Sequence, residues 1–304
     1  MVRLLESGYQ VGALPLAARI AVAWWGHHLR GASLVSRACS RLLRARDCRL
    51  RVGGHELLLP YADPISLLYL ADGVLNKYCV AALRRVLRSG AVVYDIGANY
   101  GLFGWQALPL VGAEGRVTFF EPNPAVAARL RDNLAANCIA NATVVEQALS
   151  DRVGTACLLV PARGQSGLAT LQTVPCAEDR VRAQVGWQRQ TVKTVTVDEF
   201  AQQSGQQPAL LKLDVEGHEL KVLRGAEKTL ASCHPVIMLE MHEPGGEVAG
   251  EIMALLARHG YEYLYAASHT QITRTFPGGP AVPITDLIAA TEDLGLLTGQ
   301  AVSP

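Results

Sequence analysis

The middle of the chain alternates between short apolar runs and segments in which apolar residues recur with a helical spacing. Short runs without a polar face are typical of strands buried inside a parallel sheet. The helical pattern is clearest after Asn123 and Pro124, an N-cap and an N1 proline, where Val126, Leu130 and Leu134 form an apolar stripe. The predicted strands are 91–95, 116–121, 142–146, 209–214 and 235–241, and the predicted helices are 74–88, 102–111, one from residue 124, 219–231 and 246–258. The pattern predicts an α/β fold with a doubly wound, mostly parallel sheet.

Two segments depart from this alternation. Residues 48–60 have the pattern of a β-hairpin, with Gly53 and Gly54 as its turn. Residues 153–197 contain β-like pieces around a glycine-flanked loop that includes Ser166. We expect this insertion to act as a substrate-facing flap, and Ser166 to be a substrate-binding residue.

The end of the chain carries a weaker pattern. Segments 261–266 and 271–276 suit an antiparallel pair that closes the sheet, and the tail from Pro277 is rich in Pro, Gly and Ala and is expected to be loosely packed. The predicted organisation is a basic helical extension at 1–47, a β/α accessory segment at 48–90, the main α/β domain at 91–276 and a C-terminal tail at 277–304.

A glycine-containing turn follows the first strand of the main domain. Asp95 ends that strand, Gly97 and Gly101 lie in the turn, and Glu121 ends the next strand. Glycine lets the backbone approach a ligand closely, and a carboxylate about 20 residues after such a turn is placed to bind a ribose diol. The pattern therefore predicts a nucleoside-binding βαβ unit.

The spacing of the glycines indicates which nucleoside fits. A dinucleotide site has the pattern G-x-G-x-x-G, whereas here Gly97, Gly101 and Gly104 are spaced differently and Asn99 stands in place of the second glycine. No lysine follows, as it would in a phosphate-binding P-loop. A cationic nucleoside without phosphate suits such a turn, and S-adenosylmethionine is one. A nicotinamide-dependent oxidoreductase and a non-catalytic domain that binds a nucleoside or a glycan stay open as alternatives.

Four sequence blocks, at 95–101, 120–123, 147–151 and 212–219, occur in an order that resembles the FkbM family of S-adenosylmethionine-dependent methyltransferases. The resemblance covers roughly residues 70 to 265. It implies a class I (Rossmann-like) methyltransferase sheet of seven strands with an antiparallel closing strand, and O-methylation of a sugar, glycoconjugate or polyketide-like hydroxyl. At the matching positions it implies cofactor contacts from Asp95, Gly97, Ala98, Asn99, Gly101, Glu121, Pro122, Gln147, Ala148 and Asp214.

Polar groups end four of the predicted strands, at Asp95, Glu121, Asp214 and the pair Glu240 and His242. The carboxyl ends of parallel strands meet at one edge of the sheet, where ligands bind. A purely structural sheet has no need of acids at four strand ends, although one of them could cap a helix. We therefore expect these side chains to line a binding crevice.

Catalysis needs a group that accepts the proton of the acceptor hydroxyl. His242 is the predicted general base because of its intrinsic pKa, while Glu240 shares its face and would orient it or bind a substrate hydroxyl. Asp214 and Glu216 flank the same crevice as further catalytic candidates. A scheme in which these four residues hold a divalent metal stays open, but their spacing is not decisive and we assign no metal site.

Lys212 lies inside a strand that should be buried on both faces, on the same side as Asp214. A buried lysine needs a carboxylate partner, because an unpaired charge in the interior is very costly. A structural ion pair and a role in holding the substrate are equally compatible with this position.

Composition narrows the classes of partner. The net charge of +1 gives no general affinity for nucleic acid, and seven scattered cysteines without a C-x-x-C pair favour a reducing, cytoplasmic compartment. Residues 7–46 carry no acidic residue, several arginines and the pair Trp24 and Trp25. This segment suits either contact with an anionic membrane surface or packing on the catalytic domain or a second subunit. The expected partner is a small-molecule or glycan acceptor, and an oligomer is compatible with the sequence.

Overall fold

The computed structural model describes residues 10–11, 38, 42, 47–63, 65–66, 77–162, 166–171, 186–241, 246–267, 272–275 and 286–297. The strands are β1 Gln10–Val11, β2 Asp47–Val52, β3 His55–Pro60, β4 Val92–Ile96, β5 Arg116–Phe120, β6 Ala142–Val145, β7 Ala148–Leu149, β8 Gly154–Pro161, β9 Trp187–Val195, β10 Leu210–Leu213, β11 Val236–Glu240, β12 Tyr263–Ala267, β13 Ile272–Thr275 and β14 Asp286–Ala290. The helices are α1 Lys77–Val86, α2 Leu102–Val111, α3 Pro124–Ala136, α4 Val197–Ser204, α5 Glu219–Arg224, α6 Glu227–Cys233 and α7 Glu247–Arg258, with a 3₁₀ turn at Ser166–Leu168.

The central sheet has the strand order β13-β12-β14-β11-β10-β4-β5-β6. Strands β6, β5, β4, β10 and β11 run parallel, so the predicted α/β fold with a mostly parallel sheet is confirmed. From β4 the chain moves outward in one direction through β5 and β6, and later in the other direction through β10 and β11. The carboxyl ends of β4 and β10 therefore flank the switch point, where open α/β sheets bind ligands.

The antiparallel part of the sheet differs from the prediction. The pair β12 and β13 forms as expected, but β14 lies between β11 and β12 and pairs antiparallel with both. The described sheet thus has eight strands rather than seven. Residues 286–290 belong to the segment predicted to be a loosely packed tail, yet Leu287, Ile288, Ala289 and Ala290 are buried. The prediction rested on the Pro- and Gly-rich stretch before these residues. The short apolar run that follows this stretch suits a buried strand.

Helices cover both faces of the sheet and bury two large apolar clusters. The bounds of α2 match the prediction, and Asn123 caps α3 by accepting a hydrogen bond from the backbone N–H of Ala125. The helix predicted at 219–231 is instead broken into α5 and α6. At the break, a Cβ on Gly225 would lie 2.1 Å from the carbonyl oxygen of Ser150, so only glycine allows this close approach.

The insertion at 153–197 supplies β8 and β9, which together with β7 form a separate three-stranded sheet in the order β7-β9-β8. Its long antiparallel pair, β8 and β9, agrees with the β-like pieces expected there. Strand β9 ends at Val195, because Thr196 caps helix α4. The side chain of Thr196 accepts a hydrogen bond from the N–H of Glu199, and the sequence pattern did not predict this helix. This small sheet lies beside the central one and carries the Ser166–Leu168 turn on β8.

Strands β2 and β3 form the predicted hairpin, and β1 adds to the outer side of β2. Gln10 and Val11 are therefore extended, within a segment predicted to be helical. Most of residues 1–47, including Trp24 and Trp25, fall outside the described residues, so the helical extension and its membrane contact stay predictions. Among the residues that are described, no helix combines the length and apolarity required to cross a bilayer.

Candidate functional site

A cleft of about 310 Å³ opens at the carboxyl ends of β4, β5, β10 and β11. Its size falls within the range of about 300–1,000 Å³ that is usual for small-molecule sites. The apolar part of the lining includes Ile96, Phe120 and Leu158. Ten of the residues predicted to form the site line this cleft: Gly97, Asn99, Glu121, Pro122, Gln147, Ala148, Ser166, Asp214, Glu216 and Glu240.

Other predicted site residues lie elsewhere. Asp95 is buried behind the turn, where its Oδ2 accepts a hydrogen bond from the N–H of Gly104 at 2.9 Å, and burial raises its pKa to about 7. The contact of Asp95 is therefore with the first turn of α2 rather than with the cleft. Ala98 and Gly101 are also buried beside the cleft without lining it, and His242 lies outside the described residues.

The glycines of the turn are required by the packing of the chain itself. Gly97 has a φ of 74°, and a Cβ there would lie 1.9 Å from the carbonyl oxygen of Asp214. A Cβ on Gly104 would lie 2.1 Å from the ring of Phe119. These glycines thus allow β4 to approach β10 and α2 to approach β5. The Cβ positions that these glycines leave open are filled by the chain itself, while Gly97 also lines the cleft.

Glu121 holds the turn together at the tip of β5. Its Oε2 accepts a hydrogen bond from the N–H of Asn99, and its Oε1 accepts one from the N–H of Asn123, both at 2.8 Å. Burial raises the pKa of Glu121 to about 7, although the two backbone donors oppose this shift. Asn99 has a φ of 51°, a left-handed conformation that asparagine tolerates better than most residues. The carboxylate is consequently fixed in position where the cleft begins.

The opposite side of the cleft contains Asp214, Glu216 and Glu240. Lys212 lies just behind them, buried, with its Nζ 3.3 Å from Oδ2 of Asp214. Burial alone would lower the pKa of Lys212, but the surrounding carboxylates, Asp214 foremost, raise it above its usual value. The lysine is therefore a cation inside the protein, paired with the acids of the cleft.

Burial and the negative charge of Asp214 raise the pKa of Glu240 well above its usual range, against the opposing effect of Lys212. Glu240 therefore keeps its proton to a higher pH than an ordinary carboxyl group does. Among the described residues no group of three or more His, Cys, Asp or Glu side chains is arranged to hold a metal ion.

The sequence pattern missed several residues of the cleft. Ile65 reaches it from the accessory segment, and Thr170 and Leu171 reach it from the residues after Ser166. Ile65 precedes the glycine turn by some 30 residues and follows no motif, so no local signal marks it. Thr170 and Leu171 lie within the insertion that was predicted to be the flap, although no motif marks them individually.

Comparison with known proteins identifies the family. The Methyltransferase FkbM domain model matches residues 95–263, more than half of the chain. The chain is 32% identical over 158 residues to the hexuronic acid methyltransferase AglP of Haloferax volcanii, an alignment that covers 50% of this chain and 56% of that protein. It is 31% identical over 199 residues to the 31-O-demethyl-FK506 methyltransferase FkbM of Streptomyces tacrolimicus, covering 58% of this chain and 74% of the relative.

A solved structure, the methyltransferase FkbM from Methylobacillus flagellatus KT, is similar with a TM-score of 0.43 and 14% identity over 86% of this chain and 60% of that one. The mostly parallel sheet, with β14 inserted antiparallel beside β11, agrees with the class I methyltransferase fold that the sequence blocks implied. The chain belongs to the FkbM methyltransferase family.

Proposed function

We propose that the chain is an S-adenosylmethionine-dependent O-methyltransferase that acts on a hydroxyl of a sugar, a glycoconjugate or a polyketide-like product. The observation that carries the proposal is the pairing, in one cleft, of the fixed carboxylate of Glu121 with the acids Asp214 and Glu240 on the opposite side. Membership of the FkbM family supports methyl transfer as the reaction. The names of the two relatives, a hexuronic acid methyltransferase and a 31-O-demethyl-FK506 methyltransferase, support a hydroxylated small molecule or glycan as the acceptor.

The residues of the cleft fit the cofactor. Each oxygen of Glu121 accepts one backbone N–H and has capacity for another donor, which the two ribose hydroxyls would provide. Pro122, Gln147 and Ala148 would flank the adenine, and the acidic lining would favour a cation. When bound, S-adenosylmethionine supplies a methyl group that is already activated for transfer to an oxygen.

The chain would then contribute positioning and removal of the hydroxyl proton. Asp214 is the described group best suited to accept this proton, because it lines the cleft and its side chain is 41% exposed. Lys212 and Glu240 would hold Asp214 in place, and Glu216 would contact the acceptor. His242 stays a candidate base from the sequence, since it lies outside the described residues.

A nicotinamide dinucleotide fits the turn less well. Its pyrophosphate would need free backbone N–H groups at the start of α2. Here the N–H of Asn99 donates to Glu121 and the N–H of Gly104 donates to Asp95, so the chain's own carboxylates occupy these donors. Both carboxylates would also repel a pyrophosphate.

The proposal is tested by titrating the purified protein with S-adenosylmethionine and with NAD in a calorimeter. We expect the first to bind and the second not to bind. Glu121→Ala should weaken S-adenosylmethionine binding ten- to a hundredfold, about 1.5–3 kcal/mol, because it removes charge-assisted hydrogen bonds to the ribose. Glu146→Ala is the matched control, since Glu146 is exposed at the end of β6 and pairs with Arg131 at the surface. An equal dissociation constant for wild type and Glu121→Ala would contradict the assignment of Glu121.

Turnover distinguishes an enzyme from a binding domain. A panel of hydroxylated sugars and macrolides would be incubated with the cofactor, and the products examined by mass spectrometry for the gain of one methyl group. The same assay with a chelator tests the metal scheme, because activity that is lost and then restored by a divalent ion would favour it over proton removal by Asp214.

A further inference from the structure

A short segment crosses the cleft and is held at both ends. This segment, residues Ser166–Leu171, is called the strap here, and all of its residues except Leu168 line the cleft. At its far end the backbone of Thr170 exchanges two hydrogen bonds with Leu159 of β8, at 2.8 and 3.0 Å. The hydroxyl of Thr170 also donates to the carbonyl oxygen of Glu216 at 2.9 Å. This end of the strap is therefore tied to the acidic side of the cleft.

The near end of the strap is tied to Asp63. The N–H of Ser166 donates to Oδ2 of Asp63 at 3.0 Å, and the same oxygen accepts a hydrogen bond from the hydroxyl of Tyr100 at 3.1 Å. Its other oxygen accepts one from the N–H of Ile65 at 3.1 Å. Asp63 is only 4% exposed, so these bonds form away from water. Because the buried carboxylate of Asp63 accepts hydrogen bonds from all three donors, it fixes the positions of Ser166, Tyr100 and Ile65 relative to one another.

The near end also meets the turn that begins the cofactor side of the cleft. The side-chain amide of Asn99 donates to the hydroxyl of Ser166 at 3.0 Å, while the N–H of Asn99 donates to Glu121. Ile65 packs against Gly167, where a Cβ would lie 3.0 Å from its Cδ1. Asp63, the strap and Glu121 thus form one continuous set of contacts.

Asp63 is itself held by a firmly docked hairpin. Asp63 follows β3 by three residues. The side chain of Asn133 on α3 pairs with the backbone of Leu58 in β3, and that of Asn137, which caps the end of α3, pairs with the backbone of Glu56. Each amide accepts one backbone hydrogen bond from β3 and donates one to it, as a residue of a neighbouring strand would. The hairpin therefore provides a fixed support from which Asp63 reaches the strap.

We propose that Asp63, which lies outside the residues matched by the family model, is a positioning residue that holds the strap over the cofactor side of the cleft and thereby sets the affinity for S-adenosylmethionine. The proposal rests on the function proposed above. Without Asp63, the N–H of Ser166 and the hydroxyl of Tyr100 lose their shared acceptor, and the closed position of the strap is populated less. The apparent dissociation constant rises as the reciprocal of the closed fraction.

Asp63→Ala tests this inference. We expect the dissociation constant for S-adenosylmethionine to rise about five- to tenfold, as the loss of hydrogen bonds to a charged acceptor implies. The KM for S-adenosylmethionine should rise by a similar factor, while kcat at saturation changes little. Backbone amide exchange of residues 166–171, measured by mass spectrometry without cofactor, should become faster. Asp63→Asn should act in the same direction, because its one remaining oxygen leaves either Ser166 and Tyr100 or Ile65 without an acceptor. This variant carries the test should the alanine variant not fold.

Asn137→Ala is the control for a merely structural effect. It removes a clamp between α3 and the hairpin at Glu56, apart from the strap, and should lower the melting temperature with an unchanged dissociation constant and unchanged exchange in residues 166–171. Unchanged strap exchange in both Asp63 variants would overturn the proposal, as would an equal loss of affinity in Asn137→Ala. Absence of S-adenosylmethionine binding in the wild type would instead refute the proposed function, and the exchange measurement would still report whether Asp63 holds the strap.

Discussion

At the scale of single residues, the acids of the cleft differ mainly in their surroundings. Glu121 and Asp95 are buried, and burial raises the pKa of each to about 7. The pKa of Glu240 is raised further by its charged neighbour Asp214, whereas the side chain of Asp214 is half-exposed beside Lys212. The sequence predicted which strands end in acids. It could not assign their protonation, because burial and neighbouring charge arise only when the strands are assembled.

These raised values make stability depend on pH with a definite sign. Above the ordinary glutamate pKa of about 4.3, the unfolded chain releases protons that the folded chain still holds on these buried acids. Raising the pH therefore favours unfolding, from about pH 5 to about pH 7 for Glu121 and Asp95, and at still higher pH for Glu240. His218 opposes this effect below about pH 6.5, because burial lowers its pKa to about 4 and only the unfolded chain then binds the proton. We expect the melting temperature to fall above that pH.

Glu240→Gln should flatten the fall above pH 7, because glutamine has the same shape and no proton to lose. Thermal unfolding of wild type and variant in matched buffers from pH 5 to 9 measures this effect. Glu146→Gln, which changes an exposed acid, should leave the pH dependence as it is in the wild type. A slope in Glu240→Gln equal to that of the wild type above pH 7 would show that Glu240 is ionised there in the folded protein.

At the scale of the elements, a glycine in a helix can allow that helix to pack closely against a strand. Gly104 lies in α2 at the contact with Phe119 of β5, while Gly250 lies in α7 with nothing within 4 Å of a Cβ. The sequence places Gly104 at the end of the glycine pattern of the turn and gives no packing partner for either glycine. Only the packing of α2 against the sheet reveals that the neighbour of Gly104 is an aromatic ring.

The two helical glycines should respond in opposite ways to alanine. Gly250→Ala should stabilise the fold by about 0.5–1 kcal/mol, because alanine is the better helix former and no atom obstructs it. Gly104→Ala should destabilise by about 1–3 kcal/mol, since the new methyl group overlaps Phe119 in a filled core. Urea unfolding of both variants measures the difference. A stabilised Gly104→Ala would mean that Phe119 moves aside at little cost.

At the scale of the whole molecule, the sheet is completed by a segment from near the end of the chain. Strand β14 separates β11 from β12 and contributes four buried residues to the core. Leu294 follows it, with its carbonyl oxygen bound by Arg85 of α1 and its N–H bound to Tyr265. The end of the chain thus joins parts of the fold that are more than 200 residues away along the sequence.

Truncation tests this arrangement. A chain that ends at residue 285 should lose cooperative unfolding or aggregate, because β11 and β12 lose the strand between them and expose apolar surface. A chain that ends at residue 297 keeps β14 and the contacts of Leu294, and should still unfold cooperatively because β14 separates β11 from β12. Circular dichroism and gel filtration of the two truncations make the comparison. A stable, monodisperse 1–285 chain would show that β14 is dispensable.

The sequence by itself determined the alternation of strands and helices, the acids at the strand ends and the family. These features follow from short-range rules, since strand and helix periodicity and the residue blocks of the turns are written locally along the chain. The hairpin at Gly53 and Gly54 and the N-cap Asn123 are further examples.

Tertiary structure alone decided the role of each of these groups. Asp95 caps a helix while Glu121 faces the cleft, although both end neighbouring strands. The bond from Ser166 to Asp63 joins residues 103 positions apart. No local pattern specifies such a pair, because its two groups meet only after the sheet, the hairpin and the insertion have packed together and excluded water.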